Sequence, residues 1–235
     1  MDFHGLQKIE PPILVRQKAL NDIRDAIISG SLRPGTRLIE RELCQAMGIS
    51  RASVREVLRQ LEAERLITME PRRGPAVARL TLKDAAELYE IRGLLETMLV
   101  EKFTAVASDV AVAGFRVICE EQMTAARDRS IPRLLSIMVK FTNHLARTAD
   151  HQVAQDILGQ LHARISTLRV MAMMDPGRIE TSVGEIRNII EAVEKRDPAL
   201  AGKAMRTYVA NACRSALNQL AKEEASAPVP RDQAS

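Results

Sequence analysis

Arg51, Arg55 and Arg59 follow Ser50 at intervals of four residues. Positions four apart share one face of a helix, so the three guanidinium groups form a single stripe. Val54, Val57, Leu58 and Leu61 fall at helical spacing on the other side and predict a buried face. Ser50 is a good N-cap, which starts the helix at residue 51. A guanidinium is a planar fork that grips phosphates and guanine edges through two hydrogen bonds at once. A shorter amphipathic helix over residues 40–47 precedes it and stops at Gly48. Two such helices meeting at a tight turn, the second presenting arginines from its first turn, have the reading geometry of a helix-turn-helix. Between residues 30 and 80 there are ten arginines and no lysine.

The flanking segments supply what must hold that helix. Residues 13–29 read as a helix with Leu20, Ile23 and Ile27 on one face and Gly30 as its stop. Residues 51–64 complete the second reading element. Two short strands are expected over 67–70 and 76–78, joined by Pro71-Arg72-Arg73-Gly74-Pro75 as a tight basic tip. Helices followed by a basic hairpin predict a winged helix-turn-helix over residues 13–79, behind a loose arm over 1–12.

After Leu80 the texture changes. Thr81 with Asp84 three residues later predicts a capped helix start. Six helices are expected, over 82–106, 109–128, 131–149, 151–174, 178–196 and 198–223, separated by Ser-Asp, Ser-Ile-Pro, Asp, Asp-Pro-Gly and Asp-Pro breaks. The fold class is therefore mostly α: a winged helix-turn-helix with a small hairpin wing, then an all-α bundle of six or seven helices over 80–223. Residues 224–235 lack apolar periodicity and read as a disordered tail.

Composition narrows the function class. Of 235 residues, 46% are hydrophobic and 3% aromatic, with no Trp, as suits a helical core of Ala, Leu, Ile, Val and Met. Residues 1–80 carry 14 Lys and Arg against 10 Asp and Glu, whereas residues 81–235 carry 20 of each. The whole positive excess lies in the first third, where a polyanion would bind. No stretch has the apolar length to span a membrane, and no signal peptide is visible, so a cytoplasmic protein is expected. Cys44, Cys119 and Cys213 are far apart and lack metal spacing, which predicts reduced thiols. No Ser/His/Asp arrangement, phosphate loop, zinc-protease motif or carboxylate pair is evident, so an enzyme is not expected and no cofactor is implied.

Leu-x-Pro-Gly-x-x-Leu from Leu32, Glu40-Arg41-Glu42-Leu43, Ile49-Ser50-Arg51-x-x-Val54-Arg55-Glu56-x-Leu58 and Leu61-Glu62-Ala63-Glu64 occur in order. In these motifs the chain resembles GntR-family transcription regulators of the FadR-type subgroup. That resemblance implies a homodimer reading a palindromic operator in double-stranded DNA. It implies DNA contacts at Arg41, Arg51, Ala52, Ser53, Arg55, Arg73 and Gly74. Arg65 stands where the family has a helix-ending glycine, so a less clean helix end is expected there.

The second half is similar to the subgroup's effector-binding domain, in Leu88-Tyr89-Glu90-Ile91-Arg92-Gly93-Leu94-Leu95-Glu96 and again around Ile189–Val193. Many members hold a metal there with an Asp, a His four residues on, and two later His. Met138, Thr142, Ile186 and Tyr208 stand at those positions here, and such side chains do not make a divalent-metal site. The expectation is a metal-free cavity bordered by these four residues, taking a small, partly apolar organic effector, with Arg92 available to a carboxylate. Arg164 and Arg169 are further bundle arginines of that kind. A filled, vestigial pocket in a constitutive dimeric DNA binder stays open beside this reading.

Overall fold

The computed structural model describes residues 12–226; the arm expected over 1–12 and the tail expected over 224–235 lie outside them except for Pro12 and residues 224–226, which are helical. The chain divides into two compact units, residues 1–79 and 80–235. In the first, helix α1 (Pro12–Ile28) buries Ala19, Leu20, Ile23 and Ile27, and the chain turns away at Gly30, whose φ is 81°. Helix α2 (Glu40–Met47) ends on Gly48 in the left-handed conformation, with the Gly48 N–H donating to the Cys44 carbonyl. Helix α3 (Arg51–Ala63) begins where the Ser50 hydroxyl accepts from the Ser53 N–H at 3.1 Å. Val54, Val57, Leu58 and Leu61 are its buried residues.

Helix α3 ends more cleanly than expected. Arg65 takes up the left-handed conformation itself, at φ 55°. Its N–H reaches the Glu62 carbonyl and the Leu66 N–H reaches the Leu61 carbonyl. These two bonds make a Schellman motif, with an arginine where glycine is usual. Leu66 and Ile67, both buried, pull the chain back over the domain and hold the strained residue in place.

Strand β1 (Ile67–Glu70) pairs antiparallel with β2 (Gly74–Val77). The second strand starts two residues earlier than expected, so Gly74 and Pro75 belong to the ladder and only Pro71–Arg73 form the tip. Proline is tolerated there because β2 uses its carbonyl: the Leu38 N–H donates to Pro75 O at 2.9 Å. The Val77 N–H donates to Thr36 O at 2.9 Å, and the Arg37 guanidinium to Arg73 O at 2.8 Å. The segment after the Pro34-Gly35 turn thus ties the wing to the domain.

The second unit is a bundle of α4 (Leu82–Val106), α5 (Asp109–Arg127), α6 (Ile131–Thr148), α7 (Gln152–Met173), α8 (Arg178–Glu194) and α9 (Pro198–Ser226). The Thr81–Asp84 capping box is present in both directions. Helix α9 runs three residues past its expected end, through good helix formers. Helix α4 packs along α9, and Gly93 and Gly202 permit the approach: a Cβ at Gly202 would lie 1.9 Å from Glu101 Oε1. The main core joins Leu99, Phe103, Phe115, Leu145, Leu168, Ile189 and Met205. A smaller apolar cluster, including Ala126, Leu134, Met138 and Ile179, forms separately where α5, α6 and α8 meet.

Candidate functional site

In the first unit, Arg51, Arg55 and Arg59 are exposed along α3, with Ala52 exposed and Ser53 half-buried in its first turn. Ser53 is partly committed, since its N–H and hydroxyl both meet the Ser50 hydroxyl. Arg41 is exposed on α2 and Arg73 at the wing tip, while Gly74 holds φ 82°. Helix α2 buries no residue in a core. The Gly48 turn joins it to α3, Leu43, Cys44 and Met47 are half-buried, and an ion pair spans the two helices, Arg55 Nε lying 3.1 Å from Glu40 Oε2 and 3.2 Å from Oε1. The pairing uses Arg55 Nε and leaves the outer fork of the guanidinium facing away from Glu40.

In the bundle, Met138, Ile186, Tyr208 and Arg92 come together around one cavity of about 30 Å³. Thr142 does not join them, contrary to expectation. Its hydroxyl donates to its own helix at Met138 O, and it faces a second cavity of about 40 Å³ beside Asn143, Gln155 and His162. Arg169 lines both and forms the wall between them. The first cavity lies on the seam where the main core and the smaller apolar cluster fail to meet, with Tyr89 and Ile186 on one side and Leu134 and Met138 on the other.

That seam is lined by three buried arginines. Arg92 Nε donates to Glu96 Oε1 at 3.0 Å, and Arg169 Nη2 donates to the same oxygen at 3.0 Å. Arg178, the first residue of α8, donates to Glu185 Oε2 at 2.6 Å and to Tyr208 O at 3.4 Å. Burial opposes the charge on Arg92, but Glu96, Tyr89 and Tyr208 together outweigh it and hold the group above the ordinary arginine range. Burial and the neighbouring Arg92 push Arg169 below its ordinary value, with Glu96 only partly offsetting them. Burial pushes the Tyr89 phenol up to about 12, so it is a neutral hydroxyl donor near pH 7. Tyr208 lies under two cations, with Arg92 Cζ 5.7 Å and Arg178 Cζ 5.5 Å from its ring centre. Arg164 is drawn elsewhere, 3.5 Å from Asp84.

Comparison with known proteins agrees with this two-part architecture. Residues 16–77 match the gntR family of bacterial regulatory proteins and residues 87–211 match the FCD domain. The chain belongs to the GntR family, with a C-terminal FCD domain. It is similar to the gluconate operon transcriptional repressor of Bacillus subtilis, at 28% identity over 76% of this chain and 75% of that one. It is also similar to the transcriptional repressor RspR of Escherichia coli, at 23% identity over 86% of this chain and 89% of that one. A crystal structure of a GntR regulator from Rhodococcus superposes with a TM-score of 0.71, at 25% identity over 86% of this chain and 97% of that one. The family acts in transcription regulation, and the protein is a regulator rather than an enzyme.

In this GntR regulator the first cavity offers few donors for a metal. Tyr208 Oη accepts from Gln122 Nε2 at 3.2 Å, Thr142 is turned to its own backbone, and Met138 and Ile186 offer no hard donor. Guanidinium groups crowd the remaining space, an environment that repels a divalent cation. The histidines serve elsewhere. His151 Nδ1 accepts the Ala154 N–H at the start of α7, and His144 Nε2 meets Ala111 O at 2.8 Å while its ring packs on Phe103. Among the described residues no three His, Cys, Asp or Glu side chains gather into a metal-sized group. No helix among them is long and apolar enough to cross a membrane.

Glu40, Tyr89, Glu96, Gln122, Arg178 and Glu185 belong to these two sites and were not singled out in the sequence. Arg92 and Glu96 stand four apart on α4, a spacing that marks an ion pair. Arg178 reaches Glu185 across seven residues and Tyr208 across thirty, which no local pattern reports.

Proposed function

We propose that this GntR regulator binds a palindromic operator in double-stranded DNA as a cytoplasmic homodimer and releases or tightens on it in response to a small organic effector held in the FCD bundle. The observation that carries the DNA reading is α3: a Ser50-capped helix whose buried Val54–Val57–Leu58–Leu61 face fixes Arg51 and Arg55 on the outside. Arg51 and Arg55 read base edges, while Arg41, Arg73 and the backbone at Gly74 hold the phosphates, with Ala52 and Ser53 filling the close approach. One helix-turn-helix covers one half-site, and a palindrome requires a two-fold pair of chains. Repression is the favoured sign, since the gluconate operon regulator and RspR are named repressors.

A second reading, a constitutive DNA binder with a vestigial bundle, draws on the cavity size. About 30 Å³ holds one or two waters, so an effector has to open the seam further. Selection of binding sequences from random DNA followed by footprinting tests the first reading directly. A palindromic footprint, lost by roughly 1–3 kcal/mol in each of Arg51→Ala and Arg55→Ala, is expected. Unchanged binding in both variants would remove the recognition-helix assignment. Light scattering that shows a monomer binding one half-site would remove the dimer.

A further inference from the structure

The wing ends in a strained tip. The Arg73 N–H donates to Glu70 O at 3.1 Å, which closes a four-residue turn with Pro71 second and Arg72 third. Arg72 has φ 64°, the left-handed conformation that such a turn asks of its third residue and that glycine or asparagine normally supplies. Arg72 and Arg73 are both exposed. A strained turn persists where its surroundings hold it, and here they include Arg37. The Arg37 backbone is fixed opposite Ala76, between the Val77 N–H bond to Thr36 O and the Leu38 N–H bond to Pro75 O. Leu38, the next residue, is buried, so the root of this side chain belongs to the core of the domain. From that root Arg37 runs back along β2 toward the tip, where its Nη2 donates to Arg73 O at 2.8 Å.

We infer that Arg37 is a positioning residue for DNA binding: its guanidinium braces the Arg73 carbonyl, so that the wing tip presents Arg72 and Arg73 to the phosphate backbone in one fixed direction. The bond is exposed and adds little to the stability of the folded unit. Its effect is on docking, because two long arginines on a tip that is already held lose less freedom when they meet a phosphate. A guanidinium suits the task better than an ammonium. One Nη is occupied by the carbonyl while the planar group keeps further donors, and its charge, beside the tip. This inference rests on the operator reading for its DNA; the brace itself is a property of the free protein.

The test uses the full-length protein, the duplex it selects from random DNA and a scrambled duplex, read by fluorescence anisotropy over a salt series. The variants are Arg37→Ala, a tip variant carrying Arg72→Ala and Arg73→Ala, and the triple variant. Arg37→Ala should melt with the parent and bind the selected duplex about fivefold more weakly, the factor that one hydrogen bond carries. In the tip variant there are no guanidinium groups left to position, so adding Arg37→Ala should change affinity little. Amide hydrogen exchange over residues 70–74 of the free protein should rise in Arg37→Ala, which the loss of a direct phosphate contact would not cause. The inference is overturned if Arg37→Ala binds as the parent does, if its loss is equally large in the tip variant, or if exchange at the tip is unchanged. A parent that selects no palindrome removes the operator reading and the inference with it. A parent that selects one, while the losses of Arg37 and the tip multiply, removes the inference alone.

Discussion

Arg55 on α3 and Glu40 at the first residue of α2 form an ion pair through Arg55 Nε, 3.1 Å from the carboxylate. Both side chains are partly exposed, so the pair contributes little to stability, about 0–1 kcal/mol. Its value lies in orientation: it anchors the Arg55 guanidinium on α3.

Glu40→Gln removes that anchor and one negative charge beside the proposed DNA surface. The variant should melt within a degree or two of the parent. Non-specific DNA binding should strengthen and the ratio of operator to non-specific affinity should fall, as read by fluorescence anisotropy over a salt series. A ratio that is unchanged would show that Arg55 orients itself without Glu40.

Arg65 is an exposed residue at φ 55°, in a region that costs an ordinary side chain about 1 kcal/mol relative to glycine. Arg65→Gly should therefore raise the stability of the first unit by about 0.5–1 kcal/mol, measured by chemical denaturation. Asp150 and Arg129 end bundle helices in the same way and should respond alike, whereas Arg196, which does so too, also donates to Ala107 O and Asp109 and should lose those bonds in Arg196→Gly. A loss of stability in Arg65→Gly would mean that the side chain makes a contact worth more than its strain.

Gly35 and Gly74 both have positive φ but differ in surroundings. A Cβ at Gly35 would lie 2.4 Å from Arg79 Nη2, while one at Gly74 would meet nothing within 4 Å. Gly74→Ala should cost about 1 kcal/mol from backbone strain alone, and Gly35→Ala somewhat more, because Arg79 must also move. Gly74→Ala should keep its fold by circular dichroism, so any larger loss of operator affinity in it reports on the wing's approach to DNA.

Glu96 is 1% exposed and is the common partner of two buried arginines. Glu96→Gln leaves Arg92 and Arg169 side by side without a counter-charge, and should destabilise the bundle by about 3–5 kcal/mol. A neutral effect on thermal melting would show that water reaches the triad.

Much of the fold was legible in one sequence because its signals are local. Ser50, Gly48 and the Val54–Leu61 face specify α2 and α3 through hydrogen bonds and burial within a few residues. Thr81 with Asp84 does the same for α4. The boundary of β2 was misread because Gly74 and Pro75 resemble turn residues. The pairing of Met69 with Pro75 and the bond from the Leu38 N–H, both non-local, show that Pro75 sits in a ladder. Arg65 was misread because its strain is held by Leu66 and Ile67 packing elsewhere in the domain.

The sites divide in the same way. The sequence by itself determined that Arg51 and Arg55 lie on the exposed face of α3, because period and cap set a helix face without outside help. It also determined that Met138 and Ile186 bring no hard donor to the cavity they line, because ligand chemistry belongs to the residue type. Only the tertiary structure decided that Thr142 faces a different cavity, that Arg92 and Arg169 share one Glu96 oxygen, and that Arg178 arrives from the start of α8. Those facts depend on how five helices cross, and the energy of a buried charge is set by which residues surround it, not by its neighbours along the chain.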